Sequence, residues 1–139
     1  HFRRWTRPRS DYPEGRAGYR RWRKDAAAAQ GAEVGTILRS HGADPAFVDR
    51  VRAIIAKEGL GEDPVVQTHE DALCLVFLET QLDDLIDSLG TEHATSVVTR
   101  TIPKMSARAL AAATEVALSD RGAIVLKAAS DAVKAKSPQ

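Results

Sequence analysis

The sequence predicts an all-α fold: a compact helical domain of about five or six helices, with a long ordered basic and aromatic segment at its N-terminal end. Three observations predict it. Apolar residues recur at three- and four-residue spacings through most of the chain, and no stretch alternates with the period of two that a half-buried strand requires. The apolar stretches open on Ser, Thr or Asp and close on Gly or before Pro, as helices do. Residues 1 to 24 follow neither pattern, because Pro8, Pro13, Gly15 and Gly18 punctuate them in the manner of a loop.

That opening segment, HFRRWTRPRSDYPEGRAGYRRWRK, also holds most of the unusual chemistry. Nine of the 20 basic residues fall in it, against Asp11 and Glu14 alone, and so do five of the seven aromatics, Phe2, Trp5, Tyr12, Tyr19 and Trp22. The net charge of +1 therefore hides a strong separation of charge along the chain. A short helix is expected from about Ala17 to Lys24, with the rest an ordered loop whose rings anchor it on a helical body.

The body is expected over 25 to 135, with a frayed tail at 136 to 139. Asp25 is the expected N-cap of a helix whose inward stripe is Ala29, Ala32, Val34, Ile37 and Leu38, ending at His41 and Gly42. Asp44 followed by Pro45 reads as an N-cap with Pro at the first helical position. Phe47, Val48, Val51, Ile54 and Ile55 share a face until Gly59. GLGEDPVVQ reads as a loop. Thr68 and Asp71 stand in capping-box spacing before a central buried helix containing Cys74, Phe77, Leu78, Leu82, Leu85, Ile86 and Leu89. Asp83, Asp84 and Asp87 make its second half an acidic surface, available to the basic segment. A further helix is expected from about Thr91 to Thr101. Ser106 caps an Ala-rich one with Leu110, Val116 and Leu118, and Ser119 with Asp120 caps a last one with Ile124, Val125, Leu126 and Val133.

A length of 139 residues suits one domain with its own core. One cysteine, Cys74, rules out a disulfide framework within the chain and points to the cytoplasm. No apolar run approaches a membrane span, and no partner membrane is expected. The chain opens without Met, on a His in mid-motif, and is therefore expected to be a piece of a longer protein.

Guanidinium groups bind phosphate bidentately, and interleaved rings offer bases something to stack on. Arg3, Arg4, Trp5, Arg7, Arg9, Tyr12, Arg16, Tyr19, Arg20, Trp22 and Arg23 are thus candidate ligand-binding residues for a nucleotide, a polyphosphate or RNA. The opposing reading pairs the arginines with Asp83, Asp84 and Asp87 and uses the rings as anchors. His1, His41, His69 and His93 fit no metal signature; His41 is expected at a helix end, and His69 and His93 in first turns facing water. Cys74 reads as a small core residue.

Taken together, HFRRWTRPRSDYP, GRAGYRRWR, IIAKEGL and the helix opening QTHEDALCLVFLE resemble a family known as domain of unknown function 4202. The resemblance runs from His1 to about Leu118. It implies a soluble bacterial or fungal protein, and a family region that begins upstream with a further helical part. A weaker similarity is to HD-type metal-dependent phosphohydrolases, in the order of a His at a helix end, an amphipathic helix pair and an Asp-Ala step opening a buried helix. That similarity implies an HD-like body in which His1 stands for the His of the His-Asp doublet and Asp71, before Ala72, for the distal Asp. Phe2 occupies the place of the metal-binding Asp, so a divalent metal is implied without a complete ligand set.

Three functional expectations follow. The first is a binding domain for a phosphate-bearing small molecule or RNA. The second is a phosphohydrolase with His1, Asp71 and Glu58 as catalytic candidates and Lys57 beside them in the pocket. The third is a protein-interaction module, including self-association into a homo-oligomer, anchored by Trp5 and Trp22.

Overall fold

A computed structural model of the chain describes residues 6–136. His1, Arg3, Arg4 and Trp5, all expected site residues, lie outside the described residues, as does most of the expected tail. Among the described residues there are six α-helices and no strand, so the fold is all-α. No helix among them is long and apolar enough to cross a membrane. The chain forms two compact units, 1–66 and 67–139.

In the first unit a 3-10 turn, Arg9–Asp11, leads into α1, Gly15–Ser40, which is joined by a short turn to α2, Pro45–Ala56. The expected break at Asp25 is absent. α1 runs through it without interruption, because no proline follows Pro13 until Pro45 and the four alanines 26 to 29 are the best helix formers available. The expected inward stripe also shifts. Gly18, Ala26, Gly31 and Gly35 are buried, Ala29, Val34 and Leu38 are half-buried, and Ala32 and Ile37 are exposed. Small residues face inward since α2 lies close: a Cβ on Gly35 would stand 3.0 Å from Arg52 Cδ and 3.3 Å from Val48 Cγ1.

α2 begins as expected, with the Asp44 carboxylate accepting from the amides of Ala46 at 2.8 Å and Phe47 at 3.3 Å. It stops earlier than expected. Lys57 adopts the left-handed conformation at φ 60°, and the Glu58 amide donates back to the Ala53 carbonyl at 3.0 Å. Val48 is buried, Val51, Ile54 and Ile55 are half-buried, and Phe47 is 55% exposed. The expected loop after it contains a helix start. α3 is Pro64–Thr80, and Asp63 caps it by accepting from the amides of Val65 at 2.9 Å and Val66 at 3.3 Å. Arg50 holds Asp63 with two guanidinium hydrogen bonds, one of 2.9 Å. The Asp-Pro signature of Asp44-Pro45 therefore recurs at Asp63-Pro64, and Thr68 is an interior residue rather than a cap.

The second unit comprises α3 from Gln67 onward, α4 Leu82–Thr101, a 3-10 turn Ile102–Lys104, α5 Ala107–Ala113 and α6 Asp120–Lys136. The expected central helix is broken at Gln81 (φ −128°, ψ −9°), and α4 is itself kinked at Gly90 (φ 82°, ψ 161°). The stretch after Gly90 matches the helix expected from Thr91 to Thr101. α5 ends at Ala113, leaving Val116 and Leu118 outside it. Ser106 and Ser119 cap as expected: their hydroxyls accept from the amides of Ala109 at 3.2 Å and Gly122 at 3.0 Å. The core of this unit gathers Cys74, Leu78, Leu82, Ile86, Ala94, Val98, Met105, Val125 and Ala129 among its buried residues. Leu126 and Val133 pack against it, while Ile124 is exposed.

Candidate functional site

The first unit contains the described part of the basic, aromatic segment. Prolines 8 and 13 fix the backbone on either side of the 3-10 turn, and Gly15, at φ 83°, turns the chain into α1. The Arg9 guanidinium folds back over this turn, donating to the carbonyls of Tyr12 at 2.9 Å, Pro13 at 2.8 Å and Gly15 at 3.4 Å. Farther along, the Trp22 indole N–H donates to the Arg7 carbonyl at 2.8 Å. Gly18 lets the segment before α1 fold back against the helix. A Cβ there would lie 1.8 Å from the Pro13 carbonyl oxygen, an overlap only backbone movement could relieve.

The fold-back closes a cleft of about 310 Å³ lined by Arg7, Asp11, Tyr12, Pro13, Arg21 and Asp25. Its two arginines face two carboxylates, and Arg21 and Asp25 form a loose pair at 3.9 Å. Tyr19 and Trp22 pack ring against ring at 5.7 Å with planes tilted by 43°. Arg23 places its guanidinium carbon 6.0 Å from the Tyr19 ring centre, at the outer limit of a cation–π contact.

The helix period sorts the remaining cations. Gly18, Trp22 and Ala26 lie at four-residue intervals on the inner face of α1. Arg16, Arg20, Arg23 and Lys24 occupy offsets of 0, 4, 7 and 8, one stripe on the opposite face. Arg16, Arg20 and Lys24 are exposed, and their side chains meet no carboxylate among the described residues. The first turn of α1 has no acidic residue, and Glu14 makes no side-chain cap. The positive end of the helix dipole thus carries added positive charge, the reverse of the stabilising arrangement.

The other expected site residues fall elsewhere. Lys57 forms the left-handed end of α2. Glu58, exposed, borders a separate hollow of about 330 Å³ in the first unit, together with Ala27, Ala28, Gly31, Asp49 and Arg52. Asp71 belongs to the second unit. Its carboxylate accepts from the Ser106 amide at 2.9 Å, from the Ser106 hydroxyl and from Gln67 Nε2 at 2.8 Å, so the expected capping box is not formed. Burial pushes the Asp71 carboxyl up, but the hydrogen bonds from Ser106 and Gln67 outweigh it and leave it below its ordinary value. The acidic surface of α4 is engaged within its own unit as well. Asp83 accepts from the Ser119 hydroxyl at 2.6 Å and Asp87 from Arg121 at 2.6 Å. His41 caps α1, its Nδ1 2.9 Å from the Ile37 carbonyl; His93 is exposed; His69 is half-buried in the second turn of α3 rather than in a first turn. Among the described residues no three His, Cys, Asp or Glu side chains are grouped to hold a metal ion.

Sequence reasoning missed Arg21, Asp25 and Asp11 as cleft residues. The four-residue spacing of Arg21 and Asp25 was the available signal, hidden by reading Asp25 as a cap. It also missed Glu70, 3% exposed and 4.0 Å from the Cys74 sulfur.

The family model described as Domain of unknown function (DUF4202) matches residues 1–126 of the chain. The chain belongs to the DUF4202 family. No curated protein and no solved structure matches it. The matched part of this DUF4202 chain takes in the fold-back and all of α1, and ends within α6.

Proposed function

We propose that this DUF4202 domain binds a phosphate-bearing ligand, a nucleotide or RNA, through the start of α1 and the segment folded against it. The observation that supports this reading is the stripe of Arg16, Arg20, Arg23 and Lys24 on the first three turns of α1, in which Arg16, Arg20 and Lys24 pair with no carboxylate among the described residues. Like charges at four-residue spacing repel one another, and Arg16 also opposes the helix dipole, so a bound anion relieves that repulsion. Arginine forks match phosphate oxygens, and Tyr19, 43% exposed, offers a ring beside them.

A thermal-shift screen against nucleotides, sugar phosphates and short RNA tests the reading, since a ligand that binds only the folded state raises its melting temperature. A rise that weakens steeply with salt, and is lost in the Arg16→Ala/Arg20→Ala double variant, is the expected result. No rise with any phosphate compound, or a rise untouched by the double variant, would overturn it.

A further inference from the structure

Two surfaces of the first unit could receive the phosphate, and their chemistry differs. The cleft is lined by Asp11 and Asp25 as well as by Arg7 and Arg21, so a phosphate placed there meets two carboxylates along with two guanidinium groups. The stripe itself carries no carboxylate, but it runs along a helix face on which Arg16, Arg20 and Lys24 are exposed and Arg23 is half-buried, so it offers a small molecule a line of contacts rather than an enclosure. A mononucleotide needs enclosure to gain affinity. An extended polyanion does not, because each added phosphate meets another cation along the axis. From Arg16 to Lys24 the stripe spans about 12 Å at a rise of 1.5 Å per residue, and a nucleic-acid strand stacked as in a duplex carries a charge about every 3.4 Å of helix axis, so several phosphates fall alongside it.

Building on the phosphate-binding reading, we infer that the occupant is single-stranded RNA laid along α1, its phosphates following Arg16, Arg20, Arg23 and Lys24 and one base stacking on Tyr19. Tyr19 lies between Arg16 and Arg20 in sequence and four residues before Arg23, at the edge of the stripe. Its ring is held from one side by Trp22 at 5.7 Å and approached by Arg23 at 6.0 Å, which leaves it positioned and half open. Trp22 is committed through its indole N–H to the Arg7 carbonyl and serves as the support of that ring. Stacking on an aromatic face tolerates any base, so the binding selects an unpaired strand rather than a sequence.

The test is a titration with a fluorescent oligouridylate of about twelve nucleotides, within the usual site size of such modules, alongside uridine monophosphate, an RNA duplex and inorganic polyphosphate of similar charge. Four phosphate contacts to a single strand give a salt slope of about −3, at roughly 0.7 per contact. Arg20→Ala is expected to reduce that slope by about 0.7, and Arg21→Ala to leave it unchanged. Tyr19→Ala is expected to weaken the oligouridylate by about tenfold without altering the slope, with Tyr19→Phe restoring affinity. Four results overturn the inference while leaving phosphate binding standing. These are the monophosphate binding as tightly as the oligomer, the duplex binding as tightly as the single strand, polyphosphate competing equally with Tyr19→Ala neutral, or Arg21→Ala costing as much as Arg20→Ala, which would place the ligand in the cleft. Absence of binding to every phosphate compound overturns both readings together.

Discussion

The start of α1 and the facing ends of α3 to α6 handle charge in opposite ways. In the second unit carboxylates of α3 and α4 are matched by donors at the start of another helix: Asp71 by Ser106, Asp83 by Ser119, Asp87 by Arg121. The part-buried bonds of Asp71 and Asp83 each fix one helix against the start of another, so charge there serves the fold. Along α1 the cations Arg16, Arg20 and Lys24 have no such match among the described residues; Arg16 sits at the wrong end of the helix dipole, and successive members of the three repel one another at four-residue spacing. Charge that weakens the element carrying it is evidence of a use outside the fold, whereas satisfied charge is not.

Breaking the matched side should produce the largest effect. Asp71→Ala leaves the Ser106 amide without its acceptor and Gln67 Nε2 with the Lys104 carbonyl alone, and should lower unfolding free energy by about 3 kcal/mol in urea denaturation. Because the folded Asp71 carboxyl lies below its ordinary value, its contribution is present above the unfolded value of about pH 4 and lost as pH falls through the folded one. The gap between wild type and variant should therefore narrow in acid; a gap independent of pH would remove the role assigned to that carboxylate.

On the open side, Gly18→Ala should cost about 2 kcal/mol by driving the fold-back off α1. The indole of Trp22 should then lose its carbonyl partner and its emission should shift to the red, with helix content retained. Unchanged emission would mean that Pro13 does not sit where the close approach requires.

Arg16→Glu sharpens the comparison, since it should change stability and binding in opposite directions. Placing a carboxylate in the first turn should raise stability by about 0.5 to 1 kcal/mol at low salt while weakening phosphate binding. A destabilised variant would show that Arg16 is part of the fold after all. The smallest effect is expected from Arg121→Ala, whose partner Asp87 is an exposed surface group. Its melting curve should overlay that of the parent, and a clear loss would make this pair more than a surface contact.

Local backbone chemistry determined much of what was legible in the sequence. The all-α class, the Asp44-Pro45 start, the Ser106 and Ser119 caps, the burial of Cys74 and the concentration of cations before residue 25 all follow from residue type and spacing within one turn or two. Such signals are carried by neighbours in sequence, so no tertiary contact is needed to read them. Where they failed, a competing local signal of the same form was present: Asp25 and Thr68 look like caps, yet each lies inside a helix that began earlier, at Gly15 and at Pro64. Only tertiary structure decided which signal won. The inward glycines of α1, the pairing of Asp71 with a serine 35 residues away, and the division of the arginines into one bound to carbonyls, two in a cleft with carboxylates and a stripe facing water all depend on which backbone approaches which. Composition placed those arginines together, but their sorting by face required the continuous helix that runs beneath them.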